Sequence, residues 1–129
     1  TLKEWSGDIV DDADSFWSRL RDQQLEYFAP NEKYWRFSIK PTASLDLEAD
    51  KQLIDWGGTQ RWYRGDASFE DMQALAAKAG GQVTLFKGGE RTAEVFHDQP
   101  EALRRIQTRL KQSFDPNGVL NAGRLYSWL

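Results

Sequence analysis

Apolar residues recur at helical spacing in three parts of the chain, and each repeat predicts a helix. The first helix is predicted over about Asp11–Gln24, the second over Ser68–Ala79 and the third over Pro100–Ser113. Ser68 is a good N-cap for the second helix, and Asp98 is a candidate cap for the third. The apolar positions are Ala13, Phe16, Trp17 and Leu20, then Phe69, Met72, Leu75, Ala76 and Ala79, then Leu103, Ile106, Leu110 and Phe114.

Between these repeats, alternating and β-branched or aromatic residues predict short strands. A two-residue turn at Gly57-Gly58 joins two of them as a hairpin and pairs Leu53 with Trp62. The predicted strands are Tyr34–Ile39, Gln52–Trp56, Thr59–Arg64, Gln82–Phe86 and Ala93–His97.

The order of these elements predicts the fold class. One helix is followed by three strands, a helix, two strands, a final helix and a tail. Short antiparallel strands separated by helices favour an α+β fold, with an antiparallel sheet and helices mainly on one face. The order is compatible with a ferredoxin-like arrangement that is incomplete at its N-terminus.

The last residues of the chain, Phe114–Tyr126, contain turn residues between apolar anchors, which predicts an ordered path rather than a frayed end. Asp115-Pro116-Asn117-Gly118 suits a β-turn, because proline presets φ and glycine accepts a positive φ. Asn121-Ala122-Gly123 predicts a second bend, where Gly123 lets another group approach the backbone closely. Val119 and Leu120 lie between the two bends as apolar anchors.

This tail resembles the C-terminal signature of FAD-linked oxidases of the vanillyl-alcohol oxidase type. The matching residues are Leu110-Lys111, Phe114-Asp115-Pro116, Gly118, Leu120-Asn121 and Gly123-Arg124. Ala122 replaces the proline that is usual in that family. Upstream, the segments Phe16–Leu25 and Gln52–Trp62 resemble one branch, the FAD-binding subunit of bacterial glycolate oxidase.

The resemblance implies the C-terminal lobe of such a subunit, over residues 1–113, with a tail over residues 114–129 that returns toward a flavin lobe. The expected partners are that N-terminal lobe, which is missing here, and the other glycolate oxidase subunits. The complex would oxidise glycolate to glyoxylate with FAD. Asn121, Gly123 and Arg124 are implied to lie near the flavin, and a purely structural latch between lobes is the alternative. No catalytic residue is assigned.

The start at Thr1 leads us to expect a piece of a longer protein that binds little FAD and is inactive alone. The apolar tail residues would then be buried by folding back or by self-association. The expected location is cytoplasmic, with attachment to the inner membrane only through partner subunits.

Composition narrows the classes of function. The chain has 129 residues, a net charge of −3 and no basic field of the kind that binds nucleic acid. No apolar run reaches the roughly 18 residues of a membrane span. The absence of cysteine excludes disulfides, iron–sulfur ligation and thiol catalysis.

Three further groups of residues are candidates for chemistry. His97 is the only histidine, so it is either a catalytic base or a strand-end side chain bonded to backbone or water. Without cysteines or a carboxylate cluster at ligand spacing, one histidine cannot build a zinc site. Arg61 and Arg64, among aromatic residues, either bind a small carboxylate, or make surface cation–π contacts or an ion pair with Asp55. A set of basic residues on the last helix is either solvated or a docking surface for an acidic partner. The set consists of Arg104, Arg105, Arg109 and Lys111.

Two other functions stay open at this point. The lobe can be a non-catalytic docking module of a multisubunit flavoenzyme, or it can come from a lactate or sugar-lactone oxidase. A glycine-rich flavin lobe upstream of Thr1 would favour an enzyme.

Overall fold

A computed structural model describes residues 10–28, 31–90 and 93–129. The chain divides into two compact units, Thr1–Pro30 and Asn31–Leu129. In the first unit the described part forms one helix, α1 (Ala13–Arg21), whose N-terminus is capped by Asp12. The Asp12 carboxylate accepts the Ser15 N–H at 3.2 Å. Because Asp12 is the cap, the helix begins at Ala13, two residues later than predicted.

The second unit is built on a four-stranded antiparallel sheet, which confirms the predicted α+β class. The strands follow the order β2-β3-β1-β4 across the sheet. The elements of this unit are β1 (Tyr34–Ser38), β2 (Gln52–Asp55), β3 (Gln60–Arg64), α2 (Phe69–Lys78), β4 (Gln82–Lys87) and α3 (Glu101–Phe114).

The connections around this sheet bear on the ferredoxin-like expectation. β3 and β4 both pair with β1 and are joined through α2, which makes a split β-α-β unit. β1 and β2 flank β3 in the same way, but residues 39–51 connect them through a loop that ends in a short 3-10 turn. The sheet order agrees with a ferredoxin-like arrangement, whereas the first connection has no helix, so that finer assignment stays a prediction.

The β2–β3 hairpin has the predicted register and a longer turn than predicted. Leu53 pairs with Trp62, as the sequence indicates. The connection contains four residues, 56–59, instead of two. Trp56 adopts φ 49° and Gly57 adopts φ 61°, so the left-handed backbone begins one residue before the glycine pair. Trp56 is also 73% exposed at the hairpin tip.

The core lies between one sheet face and α2. The inward side chains are Trp35 and Phe37 of β1 and Ile39 just after it, as their alternation predicts, and Phe37 is completely buried. The stripe on α2 packs against them, with Met72, Ala76 and Ala79 buried and Phe69 and Leu75 half-buried.

Both ends of α2 follow the prediction. Ser68 caps the N-terminus by accepting the Asp71 N–H at 3.0 Å. At the C-terminus, Gly80 has φ 70° and the Gly81 N–H donates to the Ala76 carbonyl at 2.9 Å, the pattern of a Schellman motif. Strong local caps and a buried stripe therefore agree on this helix.

The predicted inner face of α3 is wrong. The apolar residues that we call the α3 stripe lie on the solvent side of the helix, and none of the helix is buried. The α3 stripe consists of Leu103, Ile106, Leu110 and Phe114, which are 44%, 61%, 57% and 79% exposed. The predicted cap is wrong too, because Pro100 holds the capping position without a side-chain bond, while the Asp98 N–H donates to Gln73.

The predicted strand Ala93–His97 is reduced to a single bridge. Phe96 pairs with Thr84, and the Leu85 N–H donates to the Val95 carbonyl at 2.8 Å. No further ladder is formed by the described residues of this segment, 93–97. The segment therefore lies along the edge of β4 without continuing the sheet.

Candidate functional site

The tail begins with a buried carboxylate. Asp115 is 7% exposed and accepts the N–H groups of Val119 at 3.0 Å and Leu120 at 2.9 Å. The Lys111 ammonium, one helical turn earlier on α3, donates to the same carboxylate at 2.6 Å and also to the Leu120 carbonyl. We call this set of contacts the tail clamp, because it fixes the chain just after α3.

The electrostatics of the tail clamp are those of a paired carboxylate. The hydrogen bond from Lys111, followed by the one from the Leu120 N–H, lowers the pKa of Asp115 to about 2. Asp115 is therefore ionised at neutral pH. The clamp is the structural reason for an aspartate at this position of the signature, and its role is to hold the turn.

The two predicted bends of the tail are present. The Gly118 N–H donates to the Asp115 carbonyl at 3.0 Å, and Gly118 has φ 62°. In the second bend the Arg124 N–H donates to the Asn121 carbonyl at 3.1 Å. Asn121 has φ 51° and Gly123 has φ 68°. Apart from Gly123 and its two chain neighbours, no atom of the described residues lies within 4 Å of where a Cβ of Gly123 would be. The second bend is thus open to an approaching group.

A second anchor fixes the end of the tail. Tyr126 is 7% exposed, and its hydroxyl donates to the His97 carbonyl at 3.2 Å and accepts the Gln99 amide at 2.9 Å. Its ring packs edge-on against Phe96 and stacks on Trp128, with centroids 5.9 and 4.9 Å apart. The tail therefore folds back onto the segment that precedes α3.

A groove of about 750 Å³ lies between residues 93–96, at the edge of β4, and the returning tail. Gly123 and Arg124 line it, whereas Asn121 is not among its lining residues. Glu94 closes one side by accepting the Ser127 N–H at 2.7 Å, and the hydrogen bonds from Ser127 lower the pKa of Glu94. The structure therefore brings two of the three predicted cofactor residues to one groove. Their role stays a prediction.

The chemistry of this bend suits contact with part of a flavin. An exposed amide at Asn121 can donate or accept, Gly123 exposes backbone, and the exposed Arg124 guanidinium can pair with an anionic oxygen. A phosphate-binding glycine loop is not found in the sequence, so these residues fit a contact at one edge of the cofactor rather than a complete site.

His97 contributes mainly through its backbone. Its carbonyl accepts from both Tyr126 and Gln99. The ring is half-buried, its Nδ1 has no hydrogen-bond partner in the described part of the chain, and burial lowers the pKa of His97. Residues 10–28, 31–90 and 93–129 contain no group of three or more potential metal ligands.

Of the two alternatives for Arg61 and Arg64, the carboxylate clamp does not form. These residues are three positions apart on β3, so their side chains leave opposite faces of the sheet. Arg61 donates to the carbonyls of Gly58 at 3.2 Å and Pro41 at 3.0 Å. Its guanidinium therefore supports the loop after β1 and the hairpin turn, and the alternative ion pair with Asp55 is not formed.

The basic residues of α3 have different surroundings. The Arg104 guanidinium lies 4.8 Å from the Trp128 ring, and Lys111 belongs to the tail clamp. Arg105 and Arg109 are exposed. Sequence reasoning missed Lys111, Tyr126 and Gln99 as anchors. The available signals were the presence of Lys111 and Asp115 in the tail signature and their spacing of four residues at the helix end.

None of the described helices has the length and apolarity that a membrane span requires. A comparison with curated proteins identifies a bacterial oxidase subunit as similar to this chain. That relative is glycolate oxidase subunit GlcE of Escherichia coli strain K12, and the identity is 38% over 117 residues, or 91% of the chain. The chain spans about a third of that relative's length, 33%. The predicted resemblance to a glycolate oxidase subunit is thereby confirmed. No family model and no solved structure matches the chain.

Proposed function

We propose that this chain is the C-terminal lobe of the FAD-binding subunit of a glycolate-oxidising complex. The observation that carries the proposal is the 38% identity to a glycolate oxidase subunit over 91% of the chain. The ordered tail gives further support to the proposal. Its signature residues have structural roles, because Asp115 fixes the first turn and the glycines adopt the left-handed backbone of the two bends. In this proposal residues 1–113 form the lobe and residues 114–129 form the returning tail.

The cofactor of the complete subunit would be FAD, which supplies the acceptor for a hydride from glycolate when it is bound. In this lobe, Asn121, Gly123 and Arg124 would contact one edge of the cofactor. Gly123 and Arg124 line the groove beside Glu94, and the left-handed bend keeps Asn121 and Gly123 open. The chain's own contribution is to present these groups on a tail that is fixed at both ends.

The tail anchors give that presentation its rigidity. Asp115 holds the first turn, and Tyr126 holds the chain five residues after Asn121. A group placed between two fixed points loses little conformational entropy on binding, so its contact with a cofactor is less costly. The proposed partners are the N-terminal flavin lobe and the other subunits, and the proposed location is the cytoplasm.

The experiment uses a longer subunit that contains this sequence, assembled with its partner subunits. Asn121→Ala and Arg124→Ala are each measured for glycolate turnover per bound flavin and for the flavin absorption spectrum. Loss of a hydrogen bond to a charged group costs about 1.5–3 kcal/mol, or about tenfold to hundredfold in the affected constant. Tyr126→Phe is the matched control, because it removes only a hydroxyl that bonds to His97 and Gln99.

The proposal expects Asn121→Ala and Arg124→Ala to lower turnover per flavin without lowering the melting temperature, and Tyr126→Phe, which loosens a tail anchor, to lower the melting temperature and to lower turnover by a smaller factor. Normal turnover per flavin with a lower melting temperature in all three variants would assign the tail as a latch between lobes. A complex that oxidises lactate or a sugar lactone and leaves glycolate unchanged would contradict the proposed substrate.

A second function, a non-catalytic docking module, is favoured by one specific observation, the exposed α3 stripe. A complex in which this subunit can lose its flavin without loss of glycolate turnover would support the module. The two functions share the same fold and differ only in where the hydride is accepted.

A further inference from the structure

The side of α3 opposite its apolar stripe is lined with arginine and borders a groove. The helix positions involved follow one another at three, one, three and one residues, which places them on a single side of the helix. The groove has a volume of about 450 Å³, and an aromatic residue of the tail forms its other wall. We call it the arginine groove. Its lining residues are Glu101, Arg104, Arg105, Thr108, Arg109 and Trp128.

The charge of the arginine groove is opposite in sign to that of the whole chain. Three arginines against one glutamate leave a formal charge of +2 at the groove, whereas the chain carries −3. In the part of the chain that the structure describes, none of Arg104, Arg105 and Arg109 forms a salt bridge. The pKa of Glu94 is lowered by the hydrogen bonds from Ser127 and more weakly by the charge of Arg104, but the two charged groups are not in contact.

An aromatic stack holds Arg104 in place. Its guanidinium carbon lies 4.8 Å from the centroid of the Trp128 ring. That ring stacks on the ring of Tyr126, with centroids 4.9 Å apart, and Tyr126 is buried and anchored through its hydroxyl. A guanidinium that turns its face to a ring keeps the N–H groups on its edge for hydrogen bonds. Arg104 is therefore preorganised to bind an oxyanion.

Arg105 and Arg109 extend the positive charge along the helix. They are four residues apart, which corresponds to about 6 Å along the helix axis. Alternate side chains of an extended chain are about 7 Å apart on one face, so two carboxylates at this spacing match the two guanidinium groups. Between the two arginines, Thr108 adds a hydroxyl that can donate or accept a hydrogen bond.

The exposure of the arginine groove decides the kind of ligand. Sites for small molecules enclose most of the ligand surface, whereas the three arginines of this groove are exposed. Exposed charges of one sign steer a protein partner and fix its register. A nucleic acid would require a wider basic field than one side of a helix, and the chain as a whole is acidic. These features favour an acidic segment of another protein.

We propose that the arginine groove docks an extended acidic segment of another subunit, whose carboxylates pair with Arg104, Arg105 and Arg109. The inference rests on the proposed function in that it requires an assembly of several subunits. The groove supplies the charge and the fixed guanidinium, and the partner supplies carboxylates on alternate residues. The α3 stripe, on the opposite side of the helix, takes no part in this contact.

The test uses two fluorescently labelled peptides of about ten residues, which are longer than α3 when extended. One alternates glutamate with serine, and the other alternates glutamine with serine. Fluorescence anisotropy with the 129-residue chain at low salt is expected to show the glutamate peptide binding at least about tenfold more tightly. Added sodium chloride should weaken this binding, because it screens exposed charges.

Three variants locate the binding on the groove. Arg105→Gln and Arg109→Gln should each weaken binding of the glutamate peptide by at least about threefold, because each removes one pairing charge. Arg104→Lys keeps the charge and loses the planar fork, so it should weaken the same binding by about threefold or more. Unchanged affinity in any of the three variants would overturn the proposal, since the peptide would then bind without that arginine.

Lys78→Gln is the matched control. It also removes one positive charge from an exposed helix side chain of the same unit, but Lys78 does not line the arginine groove. It is expected to leave the affinity for the glutamate peptide unchanged, and a loss equal to that of Arg105→Gln would overturn the proposal. Circular dichroism of each variant checks that the fold is retained, which the exposure of the substituted side chains allows.

Four further results would overturn the proposal by assigning the groove to another ligand or to none. The first is equal binding of the glutamate and glutamine peptides. The second is displacement of the glutamate peptide by inorganic phosphate at an ionic strength where sodium chloride leaves it bound. The third is tighter binding of an oligothymidine than of the glutamate peptide, and the fourth is self-association of the chain that Arg105→Gln abolishes. These measurements use neither glycolate nor flavin, so their failure leaves the proposed function to its own test.

Discussion

Two amphipathic helices of the same unit, α2 and α3, make opposite use of their apolar sides. In α2 the stripe packs on β1 and β4, and Met72 and Ala76 are buried. In α3 the stripe is exposed, and the helix is tied to its unit through Arg104, Lys111 and the tail. The difference shows that the sheet and α2 are stabilised by their own core, while α3 and the tail present a preformed apolar surface.

The largest effect should come from a matched pair of phenylalanines. Phe37 on β1 is completely buried, whereas Phe114 at the end of α3 is 79% exposed. Phe37→Ala should lower the free energy of unfolding by about 3–5 kcal/mol, because it leaves a cavity in the core. Phe114→Ala should change it by less than about 0.5 kcal/mol. Chemical denaturation measures both, and equal costs would break the comparison.

A smaller difference is expected between two helix positions. Leu75 on α2 is half-buried, so Leu75→Ala should cost about 1–2 kcal/mol, less than full burial would give. Ile106 on α3 is 61% exposed, and Ile106→Ala should cost less than about 0.5 kcal/mol. The same denaturation experiment applies. A cost at Ile106 as large as that at Leu75 would place α3 against a core in the isolated chain.

The tail clamp should respond to acid. The pKa of Asp115 is lowered to about 2 in the folded chain from an ordinary value of 3.8. Its stabilisation is therefore present above about pH 4 and is lost as the pH falls through about 2. The hydrogen-exchange protection factors of residues 116–129, which correct for the intrinsic pH dependence of exchange, should fall over this window. Asp115→Asn should raise exchange already at neutral pH and remove the pH dependence.

Glu48 provides the control for the acid response. Its pKa is also about 2, mainly because of the hydrogen bond from Lys51, and its carboxylate accepts the Tyr63 hydroxyl at 2.9 Å. Glu48→Gln should leave the exchange of the tail and its pH response unchanged. A tail that loosens equally in both variants would show general acid unfolding instead of local release.

A further comparison concerns the open bend. Gly123 has φ 68° and, among the described residues beyond its chain neighbours, no atom near its Cβ position, so Gly123→Ala should cost only the left-handed backbone, about 1–2 kcal/mol. In Gly81→Ala the new Cβ would lie 2.1 Å from the Ser38 carbonyl oxygen, so the backbone must move and the cost should be larger. Melting temperatures compare the two, and a larger loss at Gly123 would mean that the bend is packed.

The affinity of the isolated chain for FAD tests whether the tail forms a flavin site without the proposed N-terminal lobe. The isolated chain should bind FAD only weakly, because it presents edge contacts at Asn121 and Arg124 without a phosphate-binding loop. Calorimetric titration with FAD measures this affinity. A dissociation constant in the micromolar range or below would contradict the division of the flavin site between two lobes.

How much the sequence could predict depends on whether the determinants are local. The helix α2 was predictable because Ser68 and Gly80 mark its ends and its stripe finds β1 within the same unit. The Leu53–Trp62 register was predictable from the glycine pair, but not the turn length, because Trp56 unexpectedly adopts a left-handed backbone. Periodicity shows which side of a helix is apolar, yet not what covers it.

The candidate site follows the same rule. The bends at Gly118 and Gly123 were predictable from turn chemistry, since positive φ favours glycine. The partners of Asp115 and Tyr126 were not, because they depend on how the tail returns across Lys111 and His97. The separation of Arg61 from Arg64 needed only strand periodicity once β3 was placed.

The most direct test of the central claim is hydrogen exchange of α2 and α3 in the isolated chain and in the assembled complex that we propose. β1 and α2, with their buried core at Phe37 and Ala76, should be equally protected in both states. α3 and the tail should gain strong protection only in the proposed complex, where the α3 stripe would be covered. Unchanged exchange of α3 between the isolated chain and the assembly would contradict the claim.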